Sequence, residues 1–260
     1  MRTAIGIAVV LAITTLAPAD ESPTYRHLMA GVRAFKEQRY EDALVELRVV
    51  AKQPDAPADL AFYLGPTLYK LGRYKEALGV FVTSTAPPDP LTDFYLGQTY
   101  YQLKLYRKSR AVFVGLRAKG MGPVLDEAAG RYIDAVDDSY KVAPDGDTID
   151  FYYAQGSELL ATDAVAASEY LDEARLVETL ATARHKHADI AAALGVAMNA
   201  AKRPAALVAA IAGDADRGDE ATWQLARAFV AVGDPRTADL LSTIAAGTGP
   251  HAAEAAKLMR

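Results

Sequence analysis

Tyr40-Glu41-Asp42-Ala43-Leu44 returns 34 residues later as Tyr74-Lys75-Glu76-Ala77-Leu78, and 32 residues after that as Tyr106-Arg107-Lys108-Ser109-Arg110. A fixed period in this range marks stacked helical hairpins, because one hairpin is too small to bury its own apolar face and each neighbour covers the last. Working outward, Ala30-Gly31, Leu64-Gly65 and Leu96-Gly97 fall in mid-helix in the three units. Twelve residues after each glycine stands a small residue, Ala43, Ala77 or Ser109, and four further on a large one, Leu47, Phe81 or Phe113. Glycine inside a helix costs about 1 kcal/mol relative to alanine. Its recurrence predicts two helices too close for a side chain between them, with the large residue filling the space between hairpins.

These residues resemble the tetratricopeptide repeat over roughly residues 24–123. The match consists of a small residue or leucine before glycine, an aromatic at the turn (Tyr40, Tyr74, Tyr106), a small residue opening the second helix, a large apolar residue, and proline at the exits (Pro54, Pro87-Pro88, Pro123). The resemblance implies an all-α protein, a solenoid of antiparallel helical hairpins in a right-handed superhelix, acting as a non-catalytic protein-binding adaptor. It also implies which positions face the concave side: Leu28, Phe62 and Phe94 in one row, Phe35, Tyr69 and Tyr101 in a second, Val32, Pro66 and Gln98 between them, and Lys36, Lys70 and Gln102 beside them. Such an apolar, aromatic groove with a basic edge suits an extended peptide or a partner helix. Some members of the family grip a free C-terminal carboxylate; Leu28 and Val32 are apolar where that grip needs polar groups, so it is not expected here.

The regular pattern stops near residue 123. Val124 to Tyr140 carries Leu125, Ala128, Ala129, Tyr132, Ile133, Val136 and Tyr140 on one helical face, a single amphipathic helix that would cap three repeats spanning 20–140. Residues 141–149, with Pro144-Asp145-Gly146-Asp147, read as a linker. From 150 to 260 a degenerate array of the same kind is expected. A hairpin lies around Ala154, Ala167, Leu171 and Ala174, Leu194-Gly195 and Leu225-Ala226 repeat the first-helix signal, and Pro204 and Pro235 open helices. Trp223, the single tryptophan, falls on an inward position and reads as a packing residue.

Composition bounds the function. Hydrophobic content of 51% and charge of 23% describe a folded chain. With no cysteine, disulfides, thiolate metal sites and cysteine nucleophiles are excluded. Arg2, the uncharged run Ala4 to Leu16 and Ala17-Pro18-Ala19 read as a cleaved export signal over residues 1–19, the apolar run being shorter than the ~20 residues of a spanning helix. The expected location is periplasmic or secreted, which also disfavours a nucleic-acid partner. The net charge of −5 conceals an asymmetry. Residues 24–123 carry 15 Lys and Arg against 9 Asp and Glu, and residues 124–260 carry 12 against 22.

Candidate chemistry is sparse. His185 and Asp189, four apart, could share a metal, but two ligands flanked by cations make a poor site. Asp145 to Asp150 and Asp214 to Asp219 lack the spacing of a calcium loop and read as turns and caps. No nucleophile, phosphate loop or cofactor motif appears, so no cofactor is expected. The reading is a protein–protein adaptor or scaffold of the cell envelope. Self-association of basic half with acidic half is the alternative, and a cell-wall-acting enzyme, which would need a deep pocket with a buried carboxylate, is the third.

Overall fold

The computed structural model describes residues 22–260, so the export segment read at 1–19 lies outside the described residues. Three antiparallel hairpins come first: α1 (Pro23–Lys36) with α2 (Tyr40–Ala51), α3 (Ala61–Lys70) with α4 (Tyr74–Thr83), and α5 (Pro90–Gln102) with α6 (Tyr106–Lys119). Local chemistry sets their ends. Ser22 accepts from the Tyr25 amide ahead of Pro23, and Asp89 does the same for Thr92 ahead of Pro90, leaving proline at the first helical position, where its missing N–H costs nothing. The turns are built alike. Gln38, Gly72 and Lys104 all take a left-handed conformation, with φ of 61°, 71° and 62°. The next amide in each case bonds back across the turn, Arg39 to Ala34, Arg73 to Leu68 and Leu105 to Tyr100.

A left-handed lysine is strained by its Cβ. Lys104 is exposed and gives the turn only backbone contacts, among them the Tyr152 hydroxyl donating to its carbonyl at 2.8 Å. Lys104→Gly is therefore expected to raise stability by about 1 kcal/mol, read as a higher urea midpoint at unchanged m-value.

Each recurrent glycine lies against the large residue expected to fill the space. A Cβ on Gly31 would meet Leu47 at 2.8 Å, one on Gly65 would overlap the Phe81 ring, and one on Gly97 would meet Phe113 at 2.8 Å. Ala43, Ala77 and Ser109 are fully buried, and the Ser109 hydroxyl donates to the Gly97 carbonyl at 2.8 Å. The first helices pack on one another, α1 on α3 and α3 on α5, more closely than the second helices do. The stack therefore curves with α1, α3 and α5 on its inner side.

Helix α7 (Pro123–Ser139) packs on α6 as the expected cap, burying Ala129, Ile133 and Val136. The connection that follows is shorter than the 141–149 read from sequence. Asp145 caps α8 (Gly146–Leu159), and Ile149 is fully buried within it. The remaining hairpins are α8 with α9 (Ala164–Glu178), α10 (His187–Ala200) with α11 (Pro204–Ile211), and α12 (Gly218–Val232) with α13 (Thr237–Ala246), closed by α14 (Ala252–Leu258). Lys202 repeats the left-handed turn, with Arg203 bonding back to Met198. Gly195 departs from the first half. A Cβ there would meet Gln224 of the following hairpin first, at 2.6 Å, and Leu207 only at 4.0 Å. Trp223 is buried, stacked on His251 with ring centres 5.0 Å apart, so it acts as the packing residue expected.

The second half does not simply extend the first. Helix α9 lies across α4 and α6 on the outer side of the curve. Leu78, Tyr100 and Leu105 from the first half join Ile149, Tyr152, Tyr170, Ala174 and Val177 in one apolar cluster. Carboxylates on α9 complete the junction. Glu173 accepts from the amides of Arg107 and Lys108 at 2.7 and 3.0 Å, capping α6, whose own N-cap residue Leu105 has no side-chain acceptor. Burial pushes the Glu173 carboxyl up to about 7, against the pull of those amides. Glu169, fully buried, takes the Tyr100 hydroxyl at 2.7 Å, the Lys108 ammonium at 2.7 Å and the Arg203 guanidinium. Burial alone would raise its pKa; Lys108 and Arg203 outweigh it and hold the carboxylate below its ordinary range.

Candidate functional site

The inner side of the first half carries an aromatic ladder. Phe35 in the last turn of α1 meets Tyr40 at the start of α2 edge-to-face, ring centres 5.7 Å apart, and Tyr63 of the next hairpin at 6.3 Å. Tyr69 meets Tyr74 and Tyr95, both at 5.4 Å. Tyr101 meets Tyr106 at 5.3 Å and Tyr132 of α7 at 5.1 Å. Each rung joins its own turn to the following unit, and such pairs contribute about 0.5–1.5 kcal/mol each beyond area burial. The turn aromatic repeated in sequence thus has a physical reason: it is the near half of a contact whose far half belongs to the next hairpin.

The twelve groove positions divide by exposure. Lys36, Lys70 and Gln102 are exposed at the ends of α1, α3 and α5. Leu28, Phe35, Phe62, Tyr69, Gln98 and Tyr101 are half-buried. Val32, Pro66 and Phe94 are buried, which removes these three from the open surface. Phe94 is enclosed by Phe113 at 5.3 Å and Tyr132 at 6.4 Å, because α7 reaches over the end of the groove. Pro66 sits inside α3, and its missing N–H deprives the Phe62 carbonyl of its usual helical donor. Gln98 donates to the Tyr132 hydroxyl at 3.0 Å.

Tyr63, Tyr95 and Tyr132 belong to the same surface and were not among the positions read from sequence. The signal was present in the first two, which stand 32 residues apart in the register of the repeat. Burial pushes the Tyr69 phenol up to about 12, so the hydroxyl stays protonated at neutral pH. Lys70 Nζ lies 5.7 Å from the Tyr95 ring centre, within reach of a cation–π contact. No ion pair is formed by Lys36 or Lys70 among the described residues. The groove edge is therefore positively charged beside half-exposed rings.

The other candidate chemistry resolves into structure. His185 turns to Asp150, Nε2 to Oδ1 2.8 Å, and not to Asp189. No group of three or more metal-ligating side chains exists among the described residues. Asp145 and Asp163 are helix caps, each accepting an amide at 2.9 Å. Of the buried carboxylates, Glu169 and Glu173 are saturated by the junction between the halves. Glu178 lines an open cleft of about 510 Å³ with Arg175, Arg184, His187 and Asp214, but accepts from the His185 amide and the His187 ring.

No protein-family model matches the chain. No curated protein matches it. Among solved structures, the TPR2AB-domain:pHSP90-complex of yeast Sti1 is similar, with 13% sequence identity, 91% of this chain and 96% of that chain covered, and a TM-score of 0.38.

Proposed function

We propose that the chain is a non-catalytic adaptor that holds an extended peptide or a helix of a partner protein along the inner side of its first three hairpins, and that it works in the cell envelope after export. The observation that carries this reading is the ladder: half-exposed rings in register over three units, with Lys36 and Lys70 beside them forming no ion pair among the described residues. Rings already fixed by their neighbours lose little freedom on binding, so a partner's apolar side chains meet a preorganised surface. The partner contacts belong to Lys36, Phe62, Lys70 and Gln102, together with the open edges of Tyr63, Tyr95 and Tyr101. Self-association of opposite charges is less favoured, since Lys108 of the basic half is already paired inside the chain with Glu169 and Asp172 of the acidic half.

Photocrosslinking tests the reading without disturbing the ladder. With p-benzoylphenylalanine in place of Lys70 or Gln102, a discrete adduct is expected in native envelopes. The same residue in place of the exposed Val114 on α6 is the outer-side control and should give none. The same adduct from position 114, or none from 70 and 102, would overturn the groove.

A further inference from the structure

All four histidines of the chain face a carboxylate on another element. His27 Nδ1 is 2.6 Å from Glu46, His185 Nε2 is 2.8 Å from Asp150, and His251 Nε2 is 2.7 Å from Glu220. His187 differs in having a carboxylate within 2.8 Å of each ring nitrogen, whereas the second carboxylate of His251, Glu254, stands 4.0 Å away. Nδ1 lies 2.6 Å from Glu178 at the end of α9. Nε2 lies 2.8 Å from Asp214, in the connection between α11 and α12, as an ion-pair contact off the hydrogen-bond direction. A neutral imidazole carries one N–H. Two carboxylates on opposite nitrogens therefore select the ring with both protons.

We propose that His187 is an acid-tightened clasp joining α9, the start of α10 and the α11–α12 connection, strongest while its ring carries both protons. The charges around it come from every neighbouring element. Helix α9 brings Glu178 and Arg175. The loop before α10 brings Arg184, paired with Asp216 at 3.1 Å, His185, whose amide donates to Glu178 at 3.1 Å, and Lys186, turned away to Asp150 at 2.9 Å. Its own helix carries Asp189. The α11–α12 connection brings Asp214, Asp216 and Arg217, whose guanidinium bonds the Asp214 carbonyl. The Glu178 side chain is only 4% exposed. When the imidazolium loses a proton, either Asp214 loses the charge facing it or Glu178 loses its ring donor, and in the second case the buried group keeps the His185 amide alone.

The direction of the effect follows from linkage. Burial pulls the His187 ring down, and Glu178 and Asp214 outweigh it, so the folded pKa stands above the ordinary 6.5. The stabilisation is complete below 6.5 and is lost as the pH rises through the folded value. Glu173, held up to about 7, also favours the lower pH but touches α6 and not this connection. A comparison of wild type with His187→Gln cancels its contribution.

The test is thermal unfolding of the two proteins at pH 6 and pH 8, with NMR titration of the wild-type ring. The variant is expected to melt roughly 3 °C lower at pH 6 and alongside wild type at pH 8, with the His187 midpoint above 6.5. An equal gap at both pH values, or a midpoint below 6.5, would overturn the clasp. Should the variant fail to fold, the wild-type titration alone decides.

Discussion

Gly65→Ala is expected to destabilise the first half by about 3 kcal/mol, near the top of the range for overpacking a core, lowering the melting temperature by roughly 6–12 °C. The added methyl would overlap Phe81 Cε1 and sit 2.6 Å from Cζ and 2.8 Å from Cδ1. A phenyl ring cannot bend away as an aliphatic tip can. Phe81 is itself buried in one apolar cluster with Leu44, Leu47, Leu64 and Ala77, so relief requires α4 to move away from α3. Gly31→Ala meets Leu47 Cδ2 and Cγ, both at 2.8 Å, and Glu46 Cβ at 3.3 Å, a milder overlap with an aliphatic side chain that should cost less. Gly79, on α4, has nothing within 4 Å of a Cβ, so Gly79→Ala should be stabilising by up to about 1 kcal/mol through helix propensity. A double-mutant cycle isolates the contact: Phe81→Leu should recover part of the loss from Gly65→Ala, although it is destabilising alone. If Gly65→Ala melts with wild type, the recurrent glycine is not a close-approach device.

That device is the part of the fold most open to sequence reading. Gly31, Gly65 and Gly97, with their partners 16 residues on, encode contacts within one hairpin, and local contacts repeat when the unit repeats. The docking of α9 on the outer side was not legible, because it depends on residues roughly 60 to 70 positions apart that recur nowhere else. Glu169, Asp172 and Glu173 look in sequence like the solvated acids of any helix. Only the alanines and leucines around them on nearly every side of α9, with Ala166, Ala167, Leu171, Ala174 and Val177 all buried, hint at a helix enclosed all round. The groove was legible to a similar depth. The register taken from the repeat resemblance put Lys36, Lys70 and Gln102 at the groove edge, and all three are exposed. It could not foresee that Tyr132 of a non-repeating helix would cover Phe94, whereas Tyr63 and Tyr95, in register 32 residues apart, were visible but passed over.

Glu169→Ala is expected to cost about 3–5 kcal/mol, the range found when one partner of a buried ion pair is removed, and to uncouple the two halves. The carboxylate is the meeting point of three elements: Tyr100 from α5, Lys108 from α6 and Arg203 from the turn before α11. After truncation Lys108 keeps Asp172 at 2.7 Å and Arg203 keeps the Ser168 hydroxyl at 2.8 Å, but Tyr100, fully enclosed, loses its acceptor. Burial alone would lower the Lys108 pKa; in the wild type Tyr100, Glu169 and Asp172 hold it raised, so removing Glu169 takes away part of what keeps the buried ammonium charged and leaves it with Asp172 alone. Glu169→Gln, which keeps an acceptor and the volume, should cost less than the alanine variant. Because the apolar cluster around Leu78, Tyr152 and Val177 remains, α9 would still rest on α4 and α6 but no longer cooperate with them. Hydrogen exchange should then show α8 to α13 opening at a free energy lowered more, relative to wild type, than that of α1 to α6. A loss below about 1 kcal/mol with both halves lowered alike would mean that the junction is held by its apolar contacts, and that the buried charges only set its register.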